Sequence, residues 1–165
     1  MRTVVSVINH GHGKLLSLLL NDLNEFCSAE DLKIVITNNV YDEDLVIGDT
    51  DFDVQVVDNL RARGFGANHN SVFNNNQGEF FCILNPDIRL STNPFEVLRS
   101  ELHVAGSAVT VPLVVNSLGE PEISVRKFPT PATIFSKLFG RNSDAIITQS
   151  LSNTVEVDWG GGMFM

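Results

Sequence analysis

Positive charge is scarce in this chain. Lys and Arg total 11 against 20 Asp and Glu, a formal net charge of −9. A surface of that sign is wrong for wrapping nucleic acid or lying on anionic lipid through bulk charge, so no nucleic-acid partner is expected. A bound phosphate would need a divalent cation or a few local arginines, and Arg61, Arg63 and Arg89 are the ones near the centre of the chain. Cysteine is almost absent. Cys27 and Cys82 lack metal-ligand spacing and read as small buried hydrophobes in a reducing compartment. No run approaches the roughly 18 apolar residues of a membrane helix. The chain enters a β-branched run at Thr3, so no signal peptide is expected. Cytoplasmic location is the expectation, extending to peripheral placement at the inner face of a membrane. With 165 residues and 43% hydrophobic content, one domain over 1–165 with a real core is expected.

The first half of the chain alternates strand and helix signals. Thr3 to Ile8 is β-branched and apolar, a buried strand. The glycine turn Asn9-His10-Gly11-His12-Gly13 follows, and Lys14 to Phe26 carries leucines at 15, 16, 19, 20 and 23, a helical face. Strand, glycine turn and helix open a nucleotide-binding α/β unit. The alternating histidines read as solvated turn residues rather than metal ligands. Leu32 to Thr37 is a second strand ending at Asn38-Asn39. Tyr41 to Asp53 is acidic, lacks calcium-loop spacing and reads as a solvated connection. Val54 to Val57 is a third strand.

The chain is organised around Gly64 to Leu90, GFGANHNSVFNNNQGEFFCILNPDIRL. Ala67 to Gln77 is expected to be a helix with Val72 and Phe73 inward. Phe80 to Leu84 is a short apolar run bounded by turn signals, a strand buried on both faces. Asn85-Pro86-Asp87 then starts a turn, presenting the Asp87 carboxylate at the strand's C-terminal end, the edge where open α/β sheets bind ligands. Beyond it, Asn93 with Pro94 and Glu96 caps a helix to about His103. Ala108 to Val115 is β-rich and Asn116 to Pro121 a turn. Ile123 to Phe128 is a short strand, Pro129-Thr130-Pro131 starts a helix to about Phe139, and Thr154 to Trp159 is a strand.

The pattern GFGAN-x-N, then GE, then the strand, then LNPD resembles the core of the family 2 glycosyltransferases, in particular their rhamnosyltransferase-like branch. SVRKFPTP (124–131) and VDWGGGMFM (157–165) resemble later segments of the same branch. Val72 and Asn76 depart from it, standing where the family has Gly and Ala. The resemblance implies an α/β GT-A fold, a Rossmann-like three-layer sandwich on a mixed, mostly parallel sheet. It implies inverting transfer of a sugar, with rhamnose a candidate, from a dTDP- or UDP-linked donor to a glycan or lipid-linked acceptor. It implies nucleotide contacts at Asn9, Asn38, Arg63, Gly64, Asn70 and Asn85, and Mg²⁺ or Mn²⁺ at Asp87. Asn38 stands where the family has the Asp that reads the base, which leaves base identity open. The general base is expected beyond Met165, so the resemblance also implies a truncated chain that could self-associate through an open C-terminal end. Two other readings stay open: a catalytically inactive nucleotide-sugar-binding module, and another α/β nucleotide-binding enzyme.

Overall fold

A computed structural model describes residues 2–105, 108–122, 124–126, 128, 130–131, 134–135 and 154–165. Its described part divides into two compact units, residues 1–110 with 163–165, and residues 111–162.

In the first unit, β1 (Thr3–Asn9), β2 (Leu32–Asn38), β3 (Asp53–Asp58) and β4 (Phe80–Leu84) run parallel, and β7 (Met163–Phe164) joins β4 antiparallel. Among the described residues the order is β3-β2-β1-β4-β7, a mixed, mostly parallel sheet. The order reverses at β1, which has β2 on one side and β4 on the other. That reversal opens a crevice at the strands' C-terminal ends.

Side-chain alternation decides the layers. Val5 and Val7 of β1, with Ile34 and Ile36 of β2, face α1 (Gly13–Phe26) and α3 (Phe95–Ala105). Leu16, Leu19, Leu20 and Leu23 of α1 are buried there with Phe95 and Leu98 of α3. Each such leucine contributes about 1.5–3 kcal/mol by leaving water. Val4 and Val35 face the other way, onto Val72 of α2 (Phe65–Asn75), with Phe81 alongside. Helices on both faces of the sheet make the three layers.

Several expectations change. Phe73 is 59% exposed, not inward, because α2 turns the stripe Asn68, His69 and Val72 to the sheet and Phe73 lies about 100° further round. It meets Phe81 edge-on at 5.3 Å instead. The strand β4 is fully buried only at Cys82 and Leu84, since α2 covers its other face in part. Cys27 is half-buried, and burial pushes its thiol up to about 11. The capping bond of Asn93 is present, its Oδ1 accepting from Phe95 N at 3.0 Å. Residues 108–115 form no strand. Their main chain pairs through Thr110 with Met165, at 2.7 and 2.9 Å, and through a single bridge from Val115 to Pro121.

In the second unit, β5 (Val125–Arg126) pairs antiparallel with β6 (Trp159–Gly160). Residues 154–157 are irregular, so the expected strand over Thr154 to Trp159 shrinks to its end. Pro131, Ile134 and Phe135 are helical, Thr130 stands just before them and its carbonyl accepts from Ile134 N at 2.9 Å, and the other residues of that expected helix lie outside the described ones.

Candidate functional site

The crevice at the β1/β4 reversal is an open cleft of about 290 Å³ lined by Ile8, His10, His12, Leu15, Phe65, Asn85, Pro86 and Asp87. It joins the turn after β1, the start of α2 and the turn after β4. The turn after β1 is pinned from three directions. Asn9 is fully buried, and its Oδ1 accepts from His12 N at 2.9 Å. Gly11 adopts φ +80°, a conformation suited to glycine. Gly13 opens α1, and its N–H donates to Asp42 Oδ2 at 2.6 Å, so a carboxylate from the acidic tract completes the helix N-terminus. Partial burial pushes the Asp42 carboxyl up. The N–H groups of Gly13 and Asp44, with the Asn9 amide and the nearby His12, more than offset this, leaving it below the usual range.

On the far side of β1, an amide network ties the strand ends together. Asn9 Nδ2 donates to Asn38 Oδ1 at 3.2 Å, and Asn38 Nδ2 donates to Asp58 Oδ1 at 2.8 Å. A carboxylate at 38 would confront Asp58 at that distance, so the neighbouring strand accounts for an amide here. Asn59 Nδ2 bridges Asn39 Oδ1 and Asn68 Oδ1, both at 2.9 Å. Asn39 in turn grips the Arg63 backbone, which sets the entry to α2.

The turn after β4 is held by a charge pair. Asp22 of α1 is 4% exposed. It accepts from Arg89 Nε at 2.6 Å, from Arg89 Nη2 at 2.7 Å and from Leu90 N at 2.9 Å. The Arg89 guanidinium pulls the Asp22 carboxyl below its ordinary value against the opposing effect of burial. Arg89 is therefore not available to a phosphate as the sequence suggested. Arg61 and Arg63 are exposed.

Asn85 and Asp87 thus come together with both histidines in one cleft. Asn9, Asn38 and Asp58 form a second cluster beside it. Gly64 caps α2, and Asn70 is exposed on that helix outside the cleft lining. Asp87 is exposed and has no hydrogen bond or ion pair among the described residues. Those residues hold no group of three potential metal-binding side chains. One unpaired carboxylate fits Mg²⁺ or Mn²⁺, which take few protein ligands and complete their shell with phosphates and water.

Sequence reasoning missed Asp22, Asp42 and His69. Asp22 falls among the buried leucines of α1, and a carboxylate on an apolar face calls for a cation. His69 lies one turn before Val72 on the buried face of α2. Its Nδ1 is 2.8 Å from Ser6 Oγ, its buried Nε2 has no partner among the described residues, and burial lowers its pKa to about 4. Asp42 had no local signal, since its partner lies 29 residues away.

Sheet order, layers and crevice define the class of fold: α/β with a mixed, mostly parallel sheet, of the GT-A type. The chain is similar to S. aureus TarS 1–349, with a TM-score of 0.57 at 17% identity over 77% of this chain and 41% of that one. It is similar to mannosyltransferase PcManGT from Pyrobaculum calidifontis, solved in complex with GDP-Man and Mn²⁺. There the TM-score is 0.56 at 16% identity over 70% of this chain and 36% of that one. TarS 1–349 in complex with UDP-GlcNAc gives 0.55 at 17% identity, over 76% and 38%. The chain therefore spans about two-fifths of the length of these neighbours or less. No protein-family profile and no curated protein matches it.

Proposed function

We propose that this chain binds a nucleoside diphosphate sugar and serves a glycosyltransferase that passes the sugar, with inversion, to a glycan or lipid-linked acceptor. The observation that carries the reading is the Asp87 carboxylate, exposed and unpartnered among the described residues, beside Asn85 at the rim of the β1/β4 cleft. The sheet order puts that cleft where α/β folds bind nucleotides. Two of the solved neighbours are complexes, one with UDP-GlcNAc and one with GDP-Man and Mn²⁺. A divalent cation, when bound, neutralises the charge that develops on the departing diphosphate. Asp87 would hold that cation. In a chain of net charge −9, this is the route by which a diphosphate is tolerated.

Around that step the chain's own groups orient the ligand. The Asn38–Asp58 pair at the ends of β2 and β3 offers one amide N–H and one carboxylate oxygen to a base edge. Asn85 offers a carbonyl oxygen to a sugar hydroxyl. A pyrimidine base, uracil or thymine, is the proposed partner, and the rhamnosyltransferase-like motifs favour rhamnose as the sugar. Titration calorimetry with UDP, dTDP, GDP and ADP in the presence of Mn²⁺ tests this. Binding of UDP or dTDP ahead of the purine nucleotides is expected. Tighter binding of GDP or ADP overturns the base assignment, and no binding of any of the four overturns the function.

A further inference from the structure

The turn after β1 carries two imidazoles, and the bonds around one of them fix which nitrogen holds its proton. Asn39, 6% exposed, lies with its side-chain amide against the backbone of Arg63. Its Oδ1 accepts the Arg63 N–H at 2.7 Å, and its Nδ2 donates to the Arg63 carbonyl at 2.9 Å. A backbone N–H only donates and a carbonyl only accepts, so the orientation of the amide follows from its partners. The same Nδ2 lies 3.0 Å from His10 Nδ1, and that ring nitrogen must accept. A neutral imidazole that accepts at Nδ1 carries its hydrogen on Nε2. Nε2 has no partner among the described residues, and His10 lines the cleft with Asn85 and Asp87.

We propose that His10 is a ligand-binding residue whose Nε2–H donates to a phosphate oxygen of a nucleoside diphosphate, with Asn39 as the positioning residue that keeps it a donor. The proposal rests on the nucleotide-sugar reading above and adds the group that recognises the phosphate. Its chemistry suits the setting. The cleft contains a carboxylate, Arg89 is committed to Asp22, and a fixed neutral N–H gives a phosphate oxygen a hydrogen bond without a second cation. The ring is already held by Asn39 and the turn by Asn9 and Asp42, so little freedom is lost when the ligand arrives.

Two measurements test it. Ring ¹⁵N shifts of histidine-labelled protein at neutral pH should show His10 hydrogenated at Nε2, and an Nδ1–H ring would overturn the proposal without reference to any ligand. Titrations with UDP plus Mn²⁺, and separately with uridine, are then run on wild type, His10→Ala and His10→Gln. Gln carries an N–H near the Nε2 position, so it should keep UDP affinity within about threefold, whereas Ala should lose about tenfold, the worth of one hydrogen bond to a charged group. Uridine, lacking phosphate, should bind all three alike. Wild-type UDP binding that survives His10→Ala, or a loss shared equally by uridine, refutes the phosphate contact alone. A wild type that binds neither UDP nor uridine refutes the function reading and this proposal together.

Discussion

Removing the Asp22 carboxylate should unfasten the turn that presents Asp87. Asp22 accepts three hydrogen bonds, two from Arg89 and one from Leu90 N. Its side chain is 6% exposed while that of Arg89 is 57% exposed. The pair is therefore half-desolvated, and the roughly 3–5 kcal/mol cost of breaking a fully buried pair does not apply, because Arg89 returns to water. What remains is the loss of hydrogen bonds to a charged group, so Asp22→Ala should cost about 2 kcal/mol. For a chain of this size that is a fall in Tm of roughly 4–8 °C. The pH dependence carries the sign. The folded pKa of Asp22 is depressed, so its contribution is fully present above the unfolded value near 4 and is lost as pH falls through the folded value. The gap in Tm between wild type and Asp22→Ala, read by circular dichroism, should be full at pH 7 and shrink once pH drops below about 4. Because Arg89 lies two residues after Asp87, Mn²⁺-dependent UDP binding should weaken in the variant at a temperature where it is still folded. A variant that melts within about 1 °C of wild type at pH 7 would show that Asp22 does not clamp this turn, since three such bonds cannot be worth so little.

Gly13→Ala should destabilise the first unit by about 1–3 kcal/mol in chemical denaturation, because a Cβ there would overlap Leu45 N and come within 2.7 Å of Asp44 C, main-chain atoms that cannot rotate away. His69 has its pKa lowered to about 4 by burial, so the unfolded chain binds the extra proton between roughly pH 6.5 and 4. Stability should therefore fall with decreasing pH in that window, by at most about 1.4 kcal/mol per pH unit, and His69→Phe should flatten that slope. Asn38→Asp should lower stability by about 1 kcal/mol at pH 7 by setting two carboxylates, at position 38 and on Asp58, side by side. A thermal melt that shows Asn38→Asp to be stabilising would refute that explanation of the amide.

The architecture was legible where chemistry is local. The β-branched run at Thr3, the leucine stripe of α1 and the short apolar run at Phe80 each announce their element, and Asn85-Pro86-Asp87 announces the turn that carries the metal candidate. Asn9 and Asn38 were visible as strand ends, and both are there, one at the tip of β1 and one at the tip of β2. What sequence could not reveal depends on partners far along the chain. Asp42 sits in an acidic tract that resembles solvated linker until Gly13 is placed beside it. Arg89 looked free until α1 brought Asp22 to it. The run over 108–115 has strand composition, yet strands form only where a neighbour offers a ladder, and there only Thr110 and Val115 find one.

In the proposed function, the β1/β4 cleft holds a nucleoside diphosphate through a cation on Asp87. A matched set of calorimetric titrations tests it most directly: UDP into wild type and into Asp87→Asn, each with and without Mn²⁺. Mn²⁺ should raise wild-type affinity for UDP, UDP should raise affinity for Mn²⁺ by the same factor, and Asp87→Asn should abolish this coupling while leaving Tm unchanged. An Asp87→Asn protein whose UDP affinity still rises with Mn²⁺ as the wild type's does would contradict that role for Asp87.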